Sequence, residues 1–189
     1  VCVLCQGDKG SPAQLTGDLV LKRRRESEAA AKLLGATLFP GEIPDAMLLE
    51  TEETRSRMVE VLRRFRPTLV LAHWKDDYHP DHQVASRLAE ATTWLSASRG
   101  FMTGSPALEV SPTLWWMDTL GMMEFDPAFS IDISAHIELK EQLLACHQTQ
   151  LVRASDPDFT SLMDLMKNQM YTRGQQSGVR AAEGFRAHL

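Results

Sequence analysis

The sequence predicts an α/β fold of Rossmann-like type, with a mostly parallel sheet and helices on both faces. Three observations carry that prediction. Short apolar, β-prone runs alternate with segments of helical period along the chain. Gly35 stands where the first long helical segment should stop. The run 68–72 leads through a His- and Asp-rich loop into a helix, at the kind of junction where open α/β sheets bind ligands. At 189 residues the chain reads as one domain, residues 1–189, large enough to bury a core.

Residues 1–5 read as a buried strand, followed by a Gly-rich loop over 6–12. A helix is expected over 19–34. It carries Lys22, Arg23, Arg24 and Arg25 near its start, the wrong charge for a helix N-terminus. That run is either a solvated face or a cationic lip. Residues 36–39 suggest a second strand, and Thr51 is a good N-cap for a helix reaching Phe65. The apolar run 68–72 is a third strand. Residues 83–95 place Val84, Leu88, Ala91 and Leu95 at helical spacing. Residues 96–112, rich in Ser, Gly and Pro, read as a long loop or a lid. Residues 113–117 and 129–133 are further strands. Ser134 is expected to cap a helix over 136–151, and 159–171 is also helical by pattern.

The loop between the third strand and its helix is the densest chemistry in the chain. It holds His73, Asp76, Asp77, Tyr78, His79, Asp81 and His82, so half of the six histidines fall within ten positions. Pro80 suits a first helical turn, where its missing N–H costs nothing. His79 would then stand at the helix entrance and His82 one turn inside. Imidazole is the commonest metal ligand and titrates near neutrality, and water activation needs one of those properties. The plain alternative is a solvated loop that caps a helix.

Composition narrows the remaining classes. The hydrophobic fraction of 43% and charged fraction of 24% are ordinary for a globular domain. A net charge of −5 argues against nucleic-acid binding. No apolar run approaches the roughly 20 residues of a membrane span, and no signal peptide is visible. Three cysteines cannot all pair, which points to a reducing cytoplasm. Cys2 and Cys5 are expected as core thiols, since no second pair completes a zinc site. There is no Gly-x-Gly-x-x-Gly, Walker loop or Gly-x-Ser-x-Gly elbow. Trp115, Trp116, Met117, Met122 and Met123 suit core or pocket wall. The chain opens at Val1, already inside a strand, so an upstream segment is expected.

Taken together, these motifs resemble those of the LmbE-like, or PIG-L, zinc-dependent de-N-acetylases. Val1-Cys-Val-Leu-Cys-Gln-Gly-Asp8 is similar to the family's second strand and its turn. Arg23-Arg-Arg-Glu26 with Leu34-Gly35 resembles its Arg-x-x-Glu helix, and His79-Pro-Asp-His82 its His-Pro-Asp-His motif. Ile131-Asp-Ile-Ser134, Lys140, Cys146-His-Gln-Thr-Gln150 and Ala182-Glu-Gly-Phe185 resemble later segments in order. The resemblance implies a zinc-dependent amidohydrolase that removes an N-acetyl group from an N-acetylglucosamine-type conjugate. It implies His82 as a zinc ligand, His79 as the catalytic histidine with Asp81 orienting its ring, and Arg23 and Glu26 toward the substrate. The family's Ala-His-Pro-Asp-Asp strand has no counterpart from Val1 onward. A central strand and helix are therefore expected to be missing, between residues 1–5 and 68–72, and activity of this chain is in doubt without them. Hydrolytic zinc wants three protein ligands plus water, and the loop's geometry permits His73, Asp76 or Asp77 to complete the set. Another metal-dependent esterase or phosphoesterase, or a catalytically inactive binding module, remains open, as does a homo-oligomer.

Overall fold

The computed structural model describes residues 1–9, 16–151 and 160–188. Positions 10–12 of the expected Gly-rich loop, and Phe159 at the head of the last expected helix, lie outside them. The chain divides into two compact units, Val1–Leu48 with Asp132–Glu183, and Leu49–Ile131 with Gly184–Leu189. Both mix helix and strand, as the α/β prediction requires. Among the described residues no helix is long and apolar enough to cross a membrane.

In the first unit, β1 (Cys2–Cys5), α1 (Thr16–Leu34) and β2 (Phe39–Ile43) form a parallel βαβ step, with Cys2 opposite Phe39 and Cys5 opposite Ile43. The second strand begins where it was expected to end. Pro40 and Gly41 look like strand breakers, yet Pro is tolerated on an edge strand. Gly41 is required there, because a Cβ would stand 2.0 Å from the Leu4 carbonyl oxygen. Gly41→Ala should therefore cost at least about 2 kcal/mol, since backbone cannot yield as a side chain does. An unchanged urea midpoint would contradict that.

Gly35 ends α1 with φ +69, as its position suggested. The thiols depart from expectation: Cys2 is exposed and Cys5 half-buried. The single helix expected over 136–151 is broken. A 3-10 turn at Ser134–His136 leads into α4 (Ile137–Ala145), and α5 (Gln148–Leu151) restarts after Cys146 and His147. The Glu26 carboxylate causes the restart by accepting the Thr149 N–H at 2.8 Å and its hydroxyl at 2.7 Å, a helix start capped from another helix. Ser134 does not cap; its hydroxyl accepts the Ala181 N–H at 3.2 Å. The last helix, α6 (Leu162–Ser177), is N-capped by Ser161, and its Met170 packs with Ile137, Ala181 and Ile133.

In the second unit, α2 (Glu52–Phe65) is closed by a reciprocal Thr51–Thr54 capping box. β3 (Leu69–His73), α3 (Pro80–Ala97) and β4 (Thr113–Met117) form a second parallel step, in register from Leu69 opposite Thr113 to His73 opposite Met117. Val70 and Ala72 on one side of β3 join Ala89, Leu114, Trp116, Phe125 and Trp74 in the core. β5 (Phe129–Asp132) and the unforeseen β6 (Ala182–Ala187) complete a four-stranded order β3-β4-β6-β5, with β6 antiparallel to β4. Among the described residues β1 ladders only with β2, and β3 only with β4.

Candidate metal centre at the end of β3

β3 ends at His73, and a six-residue turn delivers the chain to Pro80, the first residue of α3. Pro80 stands at the start of the helix, as its fixed φ favours. His79 is the N-cap: its Nδ1 accepts the Asp81 N–H at 3.2 Å. Asp77, only 4% exposed, organises the turn. Its Oδ1 accepts the His79 N–H at 2.9 Å and lies 3.0 Å from His82 Nδ1, while its carbonyl accepts from Gln83 Nε2 at 2.6 Å.

His73 and His82 stack almost parallel, centroids 3.9 Å apart and planes 7° apart. His79 stacks more loosely on His82 at 4.7 Å. Tyr78, 71% exposed, presents its ring edge-on to both His79 and His82. Potential ligand atoms of His73, Asp77 and His82 all lie within 4.8 Å of one another. Two imidazoles with a buried carboxylate beside them are the residue types that suit zinc. The Asp77 contact leaves His82 Nε2 as its available nitrogen, the usual carboxylate–histidine arrangement behind a metal.

The electrostatics agree with that use. Burial pushes the His73 imidazole down to about 4, aided by the charge of His82 and opposed by Asp77. Burial lowers His82 as well, again against Asp77. Both rings are thereby kept neutral near pH 7, the form that binds metal. Stability should follow. In the metal-free unfolded chain His73 takes its proton below about pH 6.5; in the folded chain it does so only near 4. The unfolded state thus binds the extra proton within that window, and acidification destabilises. The stabilisation is complete above pH 6.5 and falls by about 3 kcal/mol on descending through pH 4. Melting of the metal-free protein between pH 7 and 4.5 checks this; His73→Gln should flatten the slope.

Of the three residues that the loop offered to complete the site, His73 and Asp77 come to His82. Asp76 instead pairs with Lys75 in solvent. Asp81 is buried, its carboxylate 4.0 Å from His79 Nδ1, farther than the Asp81 N–H that the ring accepts. Arg23 is turned inward, while Lys22, Arg24 and Arg25 are exposed. Arg23 Nη1 donates to the Gly7 carbonyl at 2.8 Å and lies 3.7 Å from Asp45, which itself accepts the Gly7 N–H. Glu26 holds Thr149, as described. Both residues fasten segments of the first unit.

A family model described as PIG-L, GlcNAc-PI de-N-acetylase, matches residues 1–93. A 4-oxalmesaconate hydratase from Pseudomonas putida is 32% identical over 120 residues, 59% of this chain but only 46% of the hydratase. The chain thus spans less than half the length of that relative. A diacetylchitobiose deacetylase from Thermococcus kodakarensis is 27% identical over 198 aligned positions, covering 97% of this chain and 70% of the deacetylase. The crystal structure of a 4-carboxy-2-hydroxymuconate hydratase from Pseudomonas putida superposes with a TM-score of 0.85 at 22% identity, over 100% of this chain and 82% of that one. That likeness is one of fold. The match to the PIG-L, LmbE-like family thus runs over residues 1–93.

Proposed function

We propose that the chain belongs to a zinc-dependent de-N-acetylase acting on an N-acetylglucosamine-type conjugate. The observation that carries this is the cluster of His73, Asp77 and His82 at the carboxyl end of β3, beside the His79 helix entrance. Bound there, zinc lowers the pKa of a water molecule toward 7 and polarises the acyl carbonyl. His82 would hold the ion through the nitrogen that Asp77 leaves available, with His73 as a neighbouring donor and Asp77 orienting the His82 ring from behind. His79 accepts the Asp81 N–H through Nδ1, so its exchangeable proton sits on Nε2. From there its N–H would donate to the oxyanion formed at the attacked carbonyl. Asp81 would fix that ring from the first turn of α3.

The 32% identical relative favours a second reading, a hydratase, in which the same activated water adds to a carbon–carbon double bond. One experiment separates the two. The zinc-loaded protein is offered diacetylchitobiose and, separately, 4-oxalmesaconate. Acetate release supports the deacetylase, and loss of the alkene absorbance supports the hydratase. Tight zinc with neither reaction would leave a binding module.

A further inference from the structure

β3 and β4 run parallel and in register to their last residues, His73 and Met117. The segments that follow them therefore leave the sheet side by side, at the end where such sheets bind ligands. The first carries the candidate metal centre. The second, residues 118–127, is held in an unusual shape. Met122 and Glu124 adopt φ of +56 and +54, left-handed conformations that side chains disfavour and that persist only when the surroundings fix them. The surroundings do so here. Trp74, the residue after His73, donates its indole N–H to the Glu124 carbonyl at 2.9 Å. Its ring packs edge-on against buried Phe125 at 5.3 Å. Thr119 Oγ1 donates to the Met123 carbonyl at 3.0 Å, and Arg186 Nη1 to the Asp126 carbonyl at 2.9 Å.

This bracing presents Met123 to solvent. It is 71% exposed, its thioether folded over Gly121 on a backbone that every neighbour works to hold. Glu124 and Asp126, exposed beside it, bring negative charge. An unbranched, polarisable side chain on a rigid support suits an apolar group of variable shape. The adjacent carboxylates disfavour an anionic one.

We propose that residues 118–127 form the selectivity wall of the site. Met123 contacts an apolar, uncharged substituent on the amino-sugar substrate, and Trp74 is the positioning residue that couples this wall to the metal-bearing loop. This rests on the deacetylase reading above, and the test keeps the two separable. Acetate release by the zinc-loaded chain is measured with the hexyl and the methyl glycoside of N-acetylglucosamine. Wild type should favour the hexyl compound. Met123→Gln should raise KM for it about 5–10-fold, leaving kcat and the methyl glycoside unaffected. Trp74→Phe keeps an aromatic ring against Phe125 and deletes the donor to Glu124, and it should likewise raise KM for the hexyl compound more than for the methyl. Equal effects on both glycosides, or no preference in wild type, overturn the assignment.

A second readout needs no turnover. With the nine methionines carrying ¹³C-labelled methyl groups, hexyl glucoside should shift the signal that disappears in Met123→Gln, and methyl glucoside should not. That shift in a protein that releases no acetate would uphold the wall and sink the deacetylase. An unmoved Met123 signal in an active enzyme would sink the wall alone. Neither shift nor acetate would sink both.

Discussion

His82→Ala abolishes tight zinc binding, whereas His79→Ala keeps the metal and lowers turnover about 10²–10³-fold, the usual loss for one oxyanion donor. The difference follows from how each ring is held. Asp77 fixes His82 through Nδ1, and His73 stacks on its face, so the ring is kept neutral and oriented as a ligand must be. His79 sits at the helix entrance with Nδ1 occupied by a backbone N–H, so only its other nitrogen is available to the reaction. Asp77→Asn should fall between the two, weakening zinc about 10–100-fold, as the loss of a carboxylate behind a ligating imidazole commonly does. Competition against a chromophoric chelator, with acetate release in parallel, measures all three. Equal metal loss in the His79 and His82 variants would refute these roles.

Arg63→Met should cost about 3–4 kcal/mol, a large share of the 5–15 kcal/mol that holds a domain folded. Arg63 lies on α2 and is only 4% exposed. Its guanidinium donates to the carbonyls of Leu95, Ser96, Ser98 and Ser105 and to the Thr103 hydroxyl. The first two carbonyls belong to the last turn of α3, which has no basic residue of its own. Arg63 thus supplies from a neighbouring helix the charge and donors that a helix C-terminus lacks. It also pins residues 98–105, where Ser105 donates twice to Glu60. The segment that reads as a lid by composition is accordingly tied down at two points. Arg63→Lys keeps the charge and loses the fork, so it should recover less than half of the loss. Urea denaturation decides, and a midpoint within error of wild type would rule out this role.

What the sequence discloses here is what local signals encode. Thr51, Pro80 and Gly35 announce helix ends because caps act within a turn, and the His79–His82 spacing placed two imidazoles on one mouth for the same reason. The features that escaped depend on partners far along the chain. Phe39–Ile43 is a strand because β1 lies against Gly41, against the local preference of Pro40 and Gly41. The helix break at Cys146 is set by Glu26, more than a hundred residues away. Asp77 and His73 were visible as loop residues, but nothing in their spacing ranked them above Asp76. Their burial ranks them, together with the pairing of Asp76 to Lys75. Arg23 stood in a run of four cations whose composition gave no sign that one would turn inward. Ala182–Ala187 has little β-propensity and a central glycine, and only Pro127 packed against Gly184 explains that choice.

The position of β6 also constrains how the chain can reach this structure. It lies between β4 and β5, although it follows both in the sequence. During synthesis the second unit would complete α2, β3, α3 and β4 early, while β5 waited some fifty residues for the strand that joins it to the others. Closing so long a loop is slow, and until it closes the β4 edge and the ring faces of Trp115 and Phe129 stay open to wrong partners. Nascent chains arrested before residue 182 should therefore hold a native α2–α3 pairing while depending on chaperones, and emergence of Ala182–Ala187 should be the event that commits the unit to its fold.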